Sequence, residues 1–118
     1  MGSRRILLVD DSEILRMTTA ALLEDAGYQV IEAASLTQAR ASLAGELAAA
    51  VVDLHLHDGL GSSLLAELRQ THPRAAFILL TGTAEPLPDF QGDLYLVKGD
   101  DPEALIARIR EAIERRSR

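Results

Sequence analysis

Short apolar runs alternate along this chain with stretches in which apolar residues recur every three or four positions. Ile6-Leu7-Leu8-Val9, Ala49-Ala50-Val51-Val52 and Phe77-Ile78-Leu79-Leu80 are apolar throughout and too short for helices, so they predict strands buried on both faces. Tyr28 to Ala33 holds Gln29 and Glu32 and predicts an edge strand with a partly wet face. Leu94-Tyr95-Leu96-Val97 predicts the last strand. After the first strand, Asp11 or Ser12 can cap a helix that places Ile14, Thr18, Ala21 and Leu22 on one face and stops at Gly27. Ser35-Leu36-Thr37-Gln38 has capping-box form and predicts a helix through Leu36, Ala39 and Leu43 to Gly45. A third helix runs from Ser62 to Thr71 on Leu64, Leu65 and Leu68, and His72-Pro73 ends it. Asp101-Pro102-Glu103 supplies a cap, a first-position proline and a first-turn acid for a last helix. Its buried stripe is Leu105, Ile109, Ala112 and Ile113, and Arg115, Arg116 and Arg118 offset the dipole at its end. Thr83 to Gly92, with Pro86 and Pro88, leaves room for no more than one helical turn.

Strands alternating with helices imply right-handed βαβ units and a parallel sheet. The expected class is α/β: a flavodoxin-like, doubly wound, five-stranded parallel sheet of order 2-1-3-4-5, with helices on both faces. In that order strands 1, 3, 4 and 5 are neighbours, and each delivers a reactive side chain at its carboxyl end: Asp10 with Asp11, Asp53, Thr81 and Lys98. The outer second strand ends in Ala33-Ala34. Ligands of open α/β sheets bind at this edge, so the four positions are expected to converge in one crevice.

Composition narrows the classes. A chain of 118 residues suits a single domain, expected over residues 1–118, with Met1-Gly2-Ser3 reading as a tag remnant. The net charge of -6 argues against a nucleic-acid surface. No apolar stretch approaches the roughly 20 residues that span a bilayer, so no membrane contact is expected. Without cysteine there is neither a disulfide framework nor a thiolate metal site, and with no signal-peptide pattern a cytoplasmic location is expected. Eleven arginines accompany a single lysine, Lys98. An ammonium kept against that bias is a candidate for a specific role.

Three carboxylates in one crevice repel unless a cation joins them. Mg2+ takes few carboxylates, keeps waters and binds alongside phosphate, so Asp10, Asp11 and Asp53 with a backbone carbonyl suit it. Thr81 adds a hydroxyl donor and Lys98 a point charge for a phosphoryl oxygen. Asp53, the central carboxylate, is the natural nucleophile for phosphoryl transfer. Taken singly these residues have plainer uses: Asp10-Asp11 as a helix cap, Thr81 as a turn hydroxyl, Tyr95 as strand packing. His55, His57 and Asp58 also suggest a zinc site, but the remaining histidine, His72, falls after the third helix, and catalytic zinc needs three protein ligands.

In Leu8-Val9-Asp10-Asp11, Asp53-Leu-His-Leu-His-Asp-Gly-Leu-Gly61, Thr81-Gly82, Tyr95 and Lys98 the chain resembles the response-regulator receiver (CheY-like) domains of two-component signalling over essentially its whole length. The resemblance implies that Asp53 accepts a phosphoryl group from the phosphohistidine of a sensor histidine kinase or phosphotransfer protein. It implies that Mg2+ is held by Asp10, Asp11, Asp53 and the His55 carbonyl, and that Thr81 and Tyr95 reorient as the switch toward an unspecified effector. Catalysis would extend only to the domain's own phosphorylation and dephosphorylation. Three departures stand out: His57 replaces a usual proline, the fourth helix of the family is short or absent between Thr81 and Lys98, and Gly99 replaces a cis proline. A cis bond is costly without proline, so a trans Lys98–Gly99 peptide and a shifted aim for Lys98 are expected. These departures define the rival reading, a pseudo-receiver that binds partners without phosphorylation. A metal-dependent phosphatase is less well matched, since His55 stands where its second carboxylate would be.

Overall fold

The three fully apolar runs occupy the middle of the sheet, where both faces are covered. The computed structural model describes residues 4–82, 92–99 and 101–116. In chain order it contains β1 (Arg5–Val9), α1 (Glu13–Asp25), β2 (Gln29–Ala33), α2 (Leu36–Ala41), β3 (Ala49–Asp53), β4 (His55–Leu56), β5 (Gly59–Leu60), α3 (Leu64–Thr71), β6 (Ala76–Thr81), β7 (Leu94–Val97) and α4 (Pro102–Arg116). The main sheet is parallel with order β2-β1-β3-β6-β7. This is the expected doubly wound order; the numbers shift because β4 and β5 form a small separate hairpin inside the loop after Asp53. The expected short or absent fourth helix concerns residues 83–91, outside the described residues.

Strand alternation divides the core in two. Leu7, Val9, Ala50, Val52, Phe77 and Leu79 face one layer with Leu36 and Ala39 of α2 and Leu64 and Leu68 of α3. Ile6, Leu8, Ala49, Val51, Ile78 and Leu80 face the other, with Ala20 and Leu23 of α1 and Ile106, Ile109 and Ala112 of α4. Period-two strands sandwiched this way must read as continuous apolar runs, because neither set of side chains reaches water. β2 lies at an edge and is only partly buried, as its Gln29 and Glu32 predict.

Several details differ from expectation. The face of α1 carrying Ile14, Thr18 and Ala21 is exposed, with Ile14 at 78%, and the buried contacts come from Ala20 and Leu23. Two apolar registers compete on this helix, and periodicity alone picked the wrong one. Leu22 is partly buried against the α4 layer. α2 stops at Ala41 rather than Gly45: the Ser42 hydroxyl donates back to the Gln38 carbonyl at 2.9 Å, and Arg5 Nη1 donates to the Ala44 carbonyl at 3.1 Å. The third helix starts with a 3-10 turn, Gly61–Ser63, before α3 proper. α4 buries Ile106, which the predicted stripe omitted, and holds Leu105 and Ile113 at its margin. Ser12, not Asp11, caps α1 by accepting from Leu15 N at 3.4 Å. The Ser35 hydroxyl caps α2 as its sequence suggests, accepting from Gln38 N at 3.1 Å, whereas Gln38 Oε1 reaches one residue past the cap and accepts from Ala34 N at 2.7 Å.

Candidate functional site

β1, β3, β6 and β7 end at the same edge, and their first polar residues meet there. Asp10 and Asp53 are almost fully buried and Asp11 is exposed; a carboxylate oxygen from each lies within 4.8 Å of the others. Lys98 reaches between two of them: Nζ donates to Asp53 Oδ2 at 2.9 Å and pairs with Asp10 Oδ2 at 3.2 Å. Asp53 Oδ1 accepts from His55 N at 3.3 Å, and Asp10 Oδ1 accepts from Ser12 N at 2.9 Å. The Asp10 main chain is held as well. Its N–H donates to the Ala33 carbonyl at 3.0 Å and its carbonyl accepts from Arg16 Nη1 at 2.8 Å.

Among the described residues no peptide bond is cis, so Lys98–Gly99 is trans as expected. The expected shift in aim is corrected: Lys98 points into the cluster. Its N–H donates to the Thr81 carbonyl at 2.6 Å, continuing the β6–β7 ladder, and Gly99 turns the chain away at φ +96°. That left-handed value is cheap for glycine and costly for other residues.

Burial is the largest influence on Asp53 and pushes its carboxyl up; the Asp10 charge adds to this, while Lys98 and the His55 N–H oppose it. Burial pulls the Lys98 ammonium down, but its hydrogen bond to Asp53 and the charges of Asp10 and Asp53 outweigh that and hold it above the ordinary lysine value. The two shifts have different causes: burial dominates at Asp53, and the neighbouring acids together dominate at Lys98. Asp53 must tolerate a second buried acid, whereas Lys98 faces two acids and gains from both.

Ionised, the three carboxylates against one ammonium leave a net charge of −2. Three carboxylate oxygens within 4.8 Å of one another, two of them on buried acids, make an all-oxygen donor set that suits Mg2+, a small hard cation that takes few carboxylates and keeps waters. Among the described residues this is the one group of three or more His, Cys, Asp or Glu able to share a metal.

The other expected residues fall as follows. Thr81 is completely buried at the end of β6, one position beyond Leu80, the register partner of Asp53. Tyr95 is partly buried on β7 and packs against the layer containing Leu79 and Val52. His55 and His57 are exposed on the hairpin, and the zinc arrangement does not form. Asp58 instead accepts from Leu36 N at 3.0 Å, Thr37 N at 3.1 Å and Thr37 Oγ1 at 3.1 Å. The Leu36 N–H is the main reason its carboxyl sits below the ordinary value. His72 is engaged elsewhere, with Nε2 against the Gly45 carbonyl at 2.7 Å. Gly61 admits no side chain, since a Cβ would lie 2.1 Å from the Asp53 carbonyl oxygen.

Sequence reasoning misses Arg16, the anchoring of α2 by Asp58 and the tight approach at Gly61. Arg16 had a faint signal, standing one turn after the Ser12 cap, where a long cation can fold back over the strand end.

Residues 6–110 match the family model of the response regulator receiver domain. The chain belongs to that family. This receiver domain is 41% identical over 87 residues to the sensor kinase CckA of Brucella abortus (strain 2308), an alignment covering 71% of the chain and 9% of the kinase. The chain spans about half the length of the other curated relatives it matches, such as 46% and 50%. In structure it is similar to a CheY-like receiver domain protein from Methanospirillum hungatei JF-1, with a TM-score of 0.88, 28% identity and 98% of each chain covered. It is also similar to a response regulator protein from Burkholderia pseudomallei, solved with a phosphorylated aspartic acid, calcium ion and citrate. That match has a TM-score of 0.80 and 31% identity over 94% of this chain and 69% of the other. The acidic cluster is therefore the carboxyl-end crevice of a receiver domain of two-component signalling.

Proposed function

We propose that this receiver domain is a phosphorylation-dependent switch in which Asp53 is the phosphoacceptor. A carboxylate oxygen of Asp53 attacks phosphorus, the phosphorus–nitrogen bond of a phosphohistidine breaks, and the imidazole of the donor kinase or phosphotransfer protein leaves with the electron pair. Water later attacks the acyl phosphate, releasing inorganic phosphate and restoring the carboxylate. The observation that carries this reading is Lys98 Nζ lying 2.9 Å from Asp53 and 3.2 Å from Asp10. There the ammonium holds the nucleophile in place and can follow charge onto a transferring phosphoryl oxygen.

Asp10, Asp11 and Asp53, with the His55 carbonyl, would hold Mg2+. Bound there, the ion supplies neutralisation of the acids and of the phosphoryl oxygens. Burial keeps bulk water off Asp53, and the His55 N–H orients its second oxygen. Thr81 is the hydroxyl proposed to meet the phosphoryl group, with Tyr95 following it as the surface around β7 changes. Support also comes from the Burkholderia pseudomallei relative, solved with a phosphorylated aspartic acid and a calcium ion. The setting proposed is cytoplasmic; among the described residues no helix is long and apolar enough to cross a membrane.

Incubation with acetyl phosphate and Mg2+, read by intact mass, tests the reading. One added phosphoryl group that disappears in EDTA is expected. No addition to a folded protein that saturates with Mg2+, either from acetyl phosphate or from phosphorylated histidine kinases, would instead support a phosphorylation-independent interaction module.

A further inference from the structure

The peptide joining Asp10 to Asp11 is a rigid plane, so whatever fixes its carbonyl fixes the relative placement of both acids. That carbonyl accepts from Arg16 Nη1 at 2.8 Å, and the same guanidinium donates through Nε to Glu32 Oε1 at 3.2 Å. Glu32 and Ala33 are consecutive on β2, and Ala33 accepts the Asp10 N–H at 3.0 Å. Both polar groups of Asp10's main chain are thus referred to the edge strand, one directly and one through Arg16. The Arg16 side chain is mostly buried, at 16% exposure, so water is a poor substitute for it. A lysine in its place offers one point of charge, not a planar fork that spans two acceptors.

We infer that Arg16 is a positioning residue for the metal-binding acids: clamped by Glu32, it fixes the Asp10–Asp11 peptide and so sets the affinity of the cluster for Mg2+. This rests on the Mg2+-binding reading given above. Charge and position make opposite predictions, which makes the role separable. A cation near the site repels Mg2+, so neutralising Arg16 would tighten binding if its charge were all that mattered. If its role is positional, neutralising it loosens binding, because partners that orient metal ligands typically contribute about 10- to 100-fold in affinity.

The experiment is a Mg2+ titration of the full chain followed by amide chemical shifts, with circular dichroism to confirm folding. It compares wild type, Arg16→Met, Arg16→Lys, Glu32→Gln and the Arg16→Met/Glu32→Gln double variant. Expected are dissociation constants raised about tenfold in Arg16→Met and in Arg16→Lys. The double variant should bind no more weakly than Arg16→Met alone, since Glu32 acts through Arg16. Unchanged or tighter binding by Arg16→Met overturns the inference. Should that variant not fold, Arg16→Lys, which keeps the charge, decides, and unchanged affinity there overturns it equally. A wild type that never saturates defeats the metal reading and this inference together, whereas a saturating wild type with unaffected variants defeats the inference alone.

Discussion

Asp58 shows how a single exposed carboxylate can organise a loop. It stands in the hairpin after β3, accepting two backbone N–H groups and one hydroxyl from residues more than twenty positions away. Its carboxyl is held below the ordinary value first by the Leu36 N–H, so the folded state favours the ionised form. A lowered folded value means that this contribution is present above the unfolded carboxylate range of about pH 4 and is lost as pH falls through the folded value. Asp58→Ala should therefore melt below wild type at pH 7, with the gap closing below about pH 4. Thermal unfolding across pH checks this, and a gap that persists undiminished in acid would contradict it. The sequence displayed Asp58 beside two histidines and made it a metal candidate, because hydrogen bonds across twenty residues leave no local pattern. Asp53, Asp10, Asp11 and Lys98 were legible for the opposite reason. Each directly or nearly follows an apolar run, and strand ends in a parallel sheet share one edge.

At the scale of elements, strands were easier to read than helices. A strand covered on both sides has no polar position to confuse its limits, and β1, β3 and β6 fall within two residues of their predicted spans. α1 is harder, because apolar residues populate both of its faces: Ile14, Leu15 and Met17 are exposed while Ala20 and Leu23 are buried. Leu23→Ala should cost about 2–5 kcal/mol, the usual range for a truncated core leucine. Ile14→Gln should stay within about 0.5 kcal/mol of wild type, as surface changes do. Chemical denaturation of the two variants measures the difference, and equal losses would show that the face assignment is wrong. The hairpin β4–β5 and the early end of α2 leave no signal in the sequence because they depend on tertiary contacts. Asp58 ties the hairpin to α2, and Arg5 draws the chain after α2 back toward β1.

For the whole molecule, the carboxyl ends of four strands bring Asp10, Asp11, Asp53 and Lys98 into one anionic crevice on a sheet covered on both faces. Concentrated negative charge of this kind costs stability until a cation arrives. Mg2+ at about 100 times its dissociation constant should stabilise the fold by about 2.7 kcal/mol, seen as a rise in Tm that EDTA reverses. A Tm indifferent to Mg2+ would count against the metal site. The fold class and strand order could be foreseen because βαβ chirality allows few arrangements for such a pattern, whereas the aim of Lys98 could not. It depends on the turn at Gly99, and a local sequence does not reveal that a trans peptide followed by a left-handed glycine still delivers the ammonium to Asp53. On the function proposed above, the Asp53 carboxylate receives the phosphoryl group. Borohydride reduction of the acetyl-phosphate-treated protein, followed by peptide sequencing by mass spectrometry, tests it most directly, because an acyl phosphate is reduced to the alcohol and a free carboxylate is not. Homoserine at position 53 in the wild type, absent from Asp53→Asn and from samples treated in EDTA, is the predicted result; homoserine at position 10 or 11 instead, or none in a protein that has gained a phosphoryl group, would contradict it.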